Sequence, residues 1–576
     1  MDQQTPVIFA VIDDATTRDR LSQDLKRRFG ADYRVNVIAS ALEGITSLDA
    51  LRATGDEVAA VIADRELPEM TGIAFLDRAD DLHPGARRGL LVRPGPAGMT
   101  DPIRRALLFD HVDFQIAAPW VSPEEWLYPT VTEALSAWTR LHRPHDEAIT
   151  LIDRRWDPRG HDLRDLLERS GVPYGFYAED SPHGKELLAK HGLGVEQLPV
   201  AIHRDGSVLL DPSNEELADA IGVATQPPGE PVDVCIIGAG PAGLAAAVYA
   251  ASEGLQTVVV EAGALGGQAA TTNQILNYLG FPHGLSGREL TTRAYFQALL
   301  FGTHFVFMRR AVDLRTRDGM HVLTLDNGTE VVSQAVVAAS GSDPRRLSIP
   351  ALEGLVGRGV FYGATGAEAA ALRGEEVCVV GGGNAAGQST LHLAKYAARV
   401  TLIVRGDSLA PDMSDYLIQR LAEAANVAVR LNTSVVDGIG ERRLHGVQLE
   451  ERATKQRDSL PVAALFVEIG GEPNTGCLPE TLARDERGHL LTGRDLLTDA
   501  ARSATWPLDR LPLTLETSIP GVFAAGDIRR GRIGRVAAAV GDGAVAIRSV
   551  QAYLSADATS GRDSAGPVVT ASPGLR

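Results

Sequence analysis

The chain carries only three cysteines, Cys235, Cys378 and Cys477, and no C-x-x-C pair occurs among them. That excludes a disulfide scaffold and gives no zinc-ligand spacing. Positive charge is also scarce: 56 Lys and Arg stand against 74 Asp and Glu, a net charge of −18. The balance argues against nucleic acid or an anionic membrane as the main partner and favours ligands that are small or borne by proteins. No charged and apolar leader opens the sequence, and no uninterrupted apolar run approaches the ~18 residues of a membrane span, so the expected location is the cytoplasm. What remains is a globular composition, 44% apolar over 576 residues. At roughly 150 residues per domain, about four domains are expected.

The pattern along the chain divides it accordingly, into an α/β multidomain protein. Residues 1–142 open with VIFAVI, ending in Asp13-Asp14, and then alternate strand-like runs (VAAVIAD, RRGLLV, VDFQIA) with helical stretches. This is the signature of a doubly wound parallel sheet. Residues 147–222 read as a small α/β domain, with EAITLID and LPVAIH as strands and DLRDLLERSG as a helix. Residues 223–231, rich in Pro and Gly, read as a linker. Residues 232–556 contain two strand-glycine-helix openings, and 557–576 are small and polar, as a disordered tail is.

In the first opening an apolar strand enters Gly238-x-Gly240-x-x-Gly243, a helix follows, and a second strand ends at Glu261. The glycines allow a tight turn, approach of the backbone to a pyrophosphate and close packing of helix on strand. The helix N-terminus attracts the phosphates, and the carboxylate accepts from a ribose hydroxyl. The second opening has Gly381, Gly383 and Ala386 in the same positions, but its second strand ends at Val404-Arg405. A cation in place of the acid suits a 2′-phosphate, hence NADPH over NADH. Two such sites in one chain imply a flavin (FAD) in one and a nicotinamide dinucleotide in the other, since hydride transfer needs a donor and an acceptor. Near the C-terminus a strand at 522–525 leads to Gly526-Asp527, and Gly541-Asp-Gly543 is expected to open a helix, together offering a carboxylate and N–H groups to the flavin's ribityl chain.

These stretches, with Gly266-Gly267-Gln268, Ile275-Leu-Asn277-Tyr-Leu-Gly-Phe-Pro282 and Gly381-Gly-Gly-Asn384, make residues 232–556 resemble the low-molecular-weight thioredoxin reductases. The resemblance implies an FAD-binding domain (232–346 with 475–556) holding an inserted NADPH-binding domain (347–474), a homodimer, and rotation of one domain against the other. It assigns Gly238, Gly240, Gly243, Glu261, Gly267, Gln268, Asn277, Gly526 and Asp527 to FAD, and Gly381, Gly383, Asn384 and Arg405 to NADPH. The family's redox C-x-x-C falls on Gly363-Ala-Thr-Gly366. Glycine has neither nucleophile nor redox couple, so thioredoxin reduction by the family route is not expected, and no side chain is assigned as catalytic. The basic pair for the 2′-phosphate is half present, Arg405 being followed by Gly406, so NADH is the alternative donor. Cys235 and Cys378, within apolar strands, read as small buried hydrophobes.

Residues 1–142 resemble the receiver domains of response regulators: Asp64 ends VAAVIAD as the phosphoacceptor would, with Asp13 and Asp14 as the carboxylates that hold Mg²⁺ beside it. The receiver's threonine falls near Val92 and its lysine at Ala118 before Pro119, so a degenerate docking or dimer module is expected, with no resident metal. Residues 147–222 resemble a thioredoxin or glutaredoxin fold, with Leu198-Pro199-Val200 at the cis-proline turn and Trp156-Asp-Pro-Arg159 where C-x-x-C would start the first helix. The expected function is an FAD enzyme that passes electrons from NADPH to oxygen, a quinone or an electron-carrier protein. A flavin-loaded sensor signalling through the receiver-like domain, and direct reduction of an external disulfide by the flavin, are the alternatives.

Overall fold

The computed structural model describes residues 5–92, 112–142, 148–154, 157–170, 174–272, 277–281, 284–363, 372–498 and 506–560, with Val172, Ile275 and Ala369. The chain divides into two compact units, Met1–Glu147 and Ala148–Arg576.

In the first unit, β1 (Val7–Val11) is buried at every position, as a strand covered on both faces must be. Asp14 caps α1 (Ala15–Phe29), its carboxylate accepting from the Thr17 N–H at 2.7 Å. There follow β2 (Arg34–Ile38), α2 (Ala41–Ala53) capped by Ser40, β3 (Val58–Asp64), α3 (Gly72–Leu82) capped by Thr71, β4 (Arg87–Val92), β5 (Phe114–Ala117) and α4 (Tyr128–His142). The strands are all parallel, in the order β2-β1-β3-β4-β5, with an apolar core on each face. The alternation in the sequence predicts this doubly wound arrangement.

The second unit begins with β6 (Ile149–Asp153), α5 (Pro158–Arg169), β7 (Tyr174–Ala178), β8 (Val200–His203) and β9 (Val208–Leu210). Their sheet has the order β7-β6-β8-β9, parallel between β6 and β7 and antiparallel beyond. The Leu198–Pro199 peptide ahead of β8 is cis.

Next come β10 (Val232–Ile237), α6 (Pro241–Ser252), β11 (Thr257–Val260), α7 (Gly287–Leu300), β12 (His304–Val306), β13 (Ala311–Arg317), β14 (Met320–Leu325) and β15 (Glu330–Ala338). The chain then crosses, through β16 (Ser342–Pro344), into a second parallel sheet. That sheet contains β17 (Val360–Tyr362), β18 (Glu376–Val380), α8 (Asn384–Leu393), β19 (Arg399–Ile403), α9 (Asp415–Glu423) and β20 (Val427–Arg430). An antiparallel flap of β21 (Thr433–Ile439), β22 (Gly446–Glu451) and β23 (Arg457–Pro461) precedes β24 (Ala464–Val467), which lies between β17 and β18. The chain returns through β25 (Gly471–Pro473), antiparallel to β16, and completes the first sheet with β26 (Val522–Ala524), which pairs with β15, and α10 (Val536–Ser560). One dinucleotide-type domain is thus inserted into another, joined by two short crossing strands.

Three expectations need correction. The stretch 223–231 is not a free linker along its first half: the Ala224 carbonyl accepts from the Phe307 N–H at 2.9 Å, the Gln226 carbonyl lies 2.9 Å from His304 Nε2, and Thr225 donates to Asp219 at 3.0 Å. β12 is a sheet edge, and the stretch satisfies groups there that would otherwise need water. Residues 149–222 consequently share one continuous core with the first dinucleotide sheet, Leu151, Leu163 and Leu217 clustering with Val234, Phe305 and Phe307. Gly541 and Gly543 do not open a helix; they lie inside α10, where a Cβ on Gly543 would stand 2.2 Å from the Ala242 carbonyl oxygen, so glycine lets α10 press against α6. The helix also runs to Ser560, past the expected start of the tail; the rest of the tail lies outside the described residues.

Candidate functional site

The N-terminus of α6 gathers the residues assigned to the first dinucleotide. Gly238 has φ of 104°, and a Cβ there would lie 2.5 Å from the Ala339 carbonyl oxygen. At Gly243 a Cβ would lie 1.9 Å from the Gly238 carbonyl oxygen, so helix and strand touch backbone to backbone. Gly240, the N-cap of α6, faces Gly267: a Cβ on Gly267 would stand 3.2 Å from the Gly240 Cα. Gly526 approaches from the other side, a Cβ there standing 2.9 Å from that of Ala242. The result is a side-chain-free cradle at a helix N-terminus, which fits the pyrophosphate of FAD.

Polar side chains around the cradle are held by the protein itself. The Glu261 carboxylate, expected to await a ribose, accepts from the Ala239 N–H at 2.7 Å and the Gly263 N–H at 2.9 Å. The Gln268 amide donates to the Ser342 carbonyl, tying this loop to the crossing strand β16. Asn277 is exposed. Asp527 pairs with Arg532 at 3.3 Å. The sequence reading missed the role of Asp542, which accepts from the Gly526 N–H at 3.0 Å and from both ends of the Arg529 guanidinium, at 2.7 and 2.8 Å. The charged residue between Gly541 and Gly543 was the available signal.

The second loop repeats the geometry with one substitution. Gly381 (φ 153°) sits so that a Cβ would lie 2.2 Å from the Glu468 carbonyl oxygen, and Gly383 caps α8. Ala386 is fully buried against this turn. Asn384, assigned to the dinucleotide, has its side-chain oxygen committed to the Ser414 N–H at 2.7 Å, which fixes the start of α9 to that of α8. Arg405 lies just beyond β19 with its side chain exposed, and its carbonyl accepts from Arg452 at 2.9 Å. A cation there is free to meet a phosphate arriving from solvent.

Between the two loops, Gly363 follows β17 with φ of 90°, and among the described residues no atom beyond its chain neighbours lies within 4 Å of where a Cβ would be. Gly366 lies outside the described residues, as does Trp156. All three cysteines are free thiols. Cys235 and Cys378 are fully buried, and desolvation pushes the first up to about 12 and the second higher still. Cys477 is partly buried and also pushed upward, chiefly by desolvation. In the first unit Asp64 accepts from its neighbour Arg65 N–H at 2.7 Å, while Asp13 and Asp14 are exposed and Asp14 is used as a helix cap. Among the described residues no group of three or more His, Cys, Asp or Glu could hold a metal ion. Among them, too, no helix is long and apolar enough to cross a membrane.

Two nested dinucleotide folds, each with a glycine turn at a helix N-terminus, define a flavin- and nicotinamide-dependent class of oxidoreductase. The family model for pyridine nucleotide-disulphide oxidoreductases matches residues 232–543, and the chain belongs to that family. Thioredoxin reductase of Treponema pallidum is 33% identical over 322 residues, 56% of this chain and 97% of its own length. That of Escherichia coli O157:H7 is 35% identical, over 55% and 95% respectively. Among solved structures, Lactococcus lactis thioredoxin reductase (FR conformation) superposes with a TM-score of 0.51 at 26% identity, covering 56% of this chain and 99% of that one. T. acidophilum thioredoxin reductase gives 0.50 at 25% identity, covering 57% and 99%. Thioredoxin reductases bind FAD and use NADPH, and the cradles at α6 and α8 fit those two groups. The chain is an enzyme of this flavoprotein kind.

Proposed function

We propose that the chain takes a hydride from NADPH onto FAD and passes the electrons to an acceptor other than a C-x-x-C disulfide: oxygen, a quinone or an electron-carrier protein. FAD would lie on Gly238, Gly240, Gly243, Glu261, Gly267, Gln268, Asn277, Gly526 and Asp527, and NADPH on Gly381, Gly383, Asn384 and Arg405. The observation that carries the reading is the end of β17, where a glycine with φ of 90° stands at the position that the resemblance gives to the first dithiol cysteine, while the three thiols of the chain are buried in strands or desolvated. No thiolate is available there to attack a disulfide. Anaerobic titration with NADPH tests this: the flavin should bleach without a long-wavelength charge-transfer band, and one of the acceptors, added singly, should restore it through many turnovers.

A second reading, a flavin-loaded sensor or docking protein, is supported by the parallel sheet of the first unit, which carries Asp64 at the end of β3 as receiver domains do. Bleaching that stops after one flavin equivalent with every acceptor favours it. Reduction of an external disulfide directly at the flavin is a third reading, detectable in the same assay with small disulfides. The exposed Phe296 and Leu300 of α7, Phe301 after it and Leu279 support a homodimer formed through the FAD domain.

A further inference from the structure

The lobe made by residues 149–222 meets both dinucleotide domains, and the two contacts differ in size. Toward the FAD domain it is built in: Leu163, Leu166, Leu167 and Leu217 belong to the core of that domain, and Glu215 pairs with the buried Arg309. Toward the inserted domain, the contacts among the described residues are made by the first turn of α5. A Cβ on Gly357 would stand 3.1 Å from the Cα and 3.2 Å from the Cβ of Pro158, so proline lies directly on the glycine. The His161 ring lies 5.4 Å from that of Phe361, inclined by 53°. Phe361 is itself stacked on Phe466 at 5.2 Å and is 3% exposed. Two residues beyond Phe361 the chain reaches Gly363, the turn that any disulfide from outside would have to approach.

We propose that the first turn of α5 is a resident plug: seated on Gly357 and Phe361, it closes the face beside Gly363 to disulfide-bearing proteins of other chains. The inference rests on the reading that positions 363 and 366 are those a redox dithiol would fill. The lobe then serves this enzyme as a built-in occupant of that face and not as an electron carrier, since neither residues 149–222 nor residues 357–368 contain a cysteine. Electrons must leave by another route, open to a small acceptor or to a partner that avoids this face.

Labelling of the full-length, FAD-loaded protein tests the plug. Gly363→Cys introduces a thiol at a position where no described atom beyond its chain neighbours lies within 4 Å of the new Cβ, the φ of 90° relaxing to admit the side chain. Iodoacetamide should react with it readily, whereas a polyethylene glycol maleimide of protein size should be slower by on the order of tenfold, because it must wait for the inserted domain to part from the first turn of α5. Adding Pro158→Glu and His161→Glu, which put charge against the apolar face, should remove most of that difference. Equal rates for the large reagent with and without the α5 changes overturn the proposal. Hydrogen exchange checks it without the new cysteine: the 355–363 segment should exchange faster in the Pro158→Glu, His161→Glu protein while β10 is unchanged, and unchanged exchange in 355–363 overturns it as well. Bleaching of the flavin by NADPH, followed in the same samples, reports on the proposed electron transfer independently of either result.

Discussion

The two glycine turns solve one steric problem with different margins. At Gly243 the contact is with backbone, 1.9 Å from a would-be Cβ, while the equivalent position of the second turn is Ala386, whose methyl is buried without conflict. The strand-end residues differ in the same sense: Glu261 is tied down by two amides, whereas Arg405 points into solvent. At the first turn the strand-end side chain is held by the protein's own groups, and at the second it is left exposed. A cofactor that stays needs the former, and one that comes and goes on every cycle needs the latter.

The largest test of that contrast is Gly243→Val. It should cost roughly 3 kcal/mol of stability and yield protein without flavin, read as absorbance per chain and as thermal unfolding; a yellow, stable variant would show the first turn to be no tighter than the second. A third strand end sharpens the point. Asp153 ends β6 fully buried, and among the described residues neither of its oxygens meets a partner at hydrogen-bonding geometry. Burial pushes its carboxyl from 3.8 up to about 6, the Arg154 amide and the Arg164 guanidinium pulling partly back and Asp157 adding to the rise. Because the folded value is the higher one, its favourable contribution is full below the unfolded value and is lost as pH rises through about 6. Hydrogen exchange in β6 and α5 should therefore quicken from below to above that pH, by the equivalent of roughly 2 to 3 kcal/mol, and Asp153→Asn should flatten the profile. A flat parent profile would mean that Asp153 has an unseen partner like those of Glu261.

Arg405→Ala should weaken NADPH by roughly 2 kcal/mol and leave NADH nearly untouched, as titration of each cofactor would measure. Equal losses would remove Arg405 from the 2′-phosphate. The smallest effect is expected of Ala386→Gly, which should cost only about 1 kcal/mol of helix stability and leave the flavin in place.

Much of this was legible in the sequence. Strand, glycine spacing and following helix fix backbone contacts at short range, so the cradles at Gly238–Gly243 and Gly381–Ala386 stand where the motifs put them. Side-chain commitments were not legible, because they depend on residues distant in sequence: Asn384 holds Ser414, Gln268 holds Ser342, and Asp542 holds Arg529. The Pro- and Gly-rich stretch at 223–231 misled for a similar reason, since composition registers flexibility but not the sheet edge that takes it up. Nor did the glycine at 363 reveal in the sequence that it adopts a φ of 90°, a conformation L side chains rarely take.

The pairing of β26 with β15 and the backbone contact of α10 with α6 also set an order of events at the ribosome. By the time residue 338 has emerged, the first dinucleotide sheet has six of its strands but lacks β26 and the helix that covers α6. The inserted domain, whose sheet ends with β24 at Val467, is synthesised whole before those pieces arrive. The nascent chain must therefore carry an open apolar surface on its earlier domain while the later one finishes folding, and it is during that interval that chaperones would find this protein.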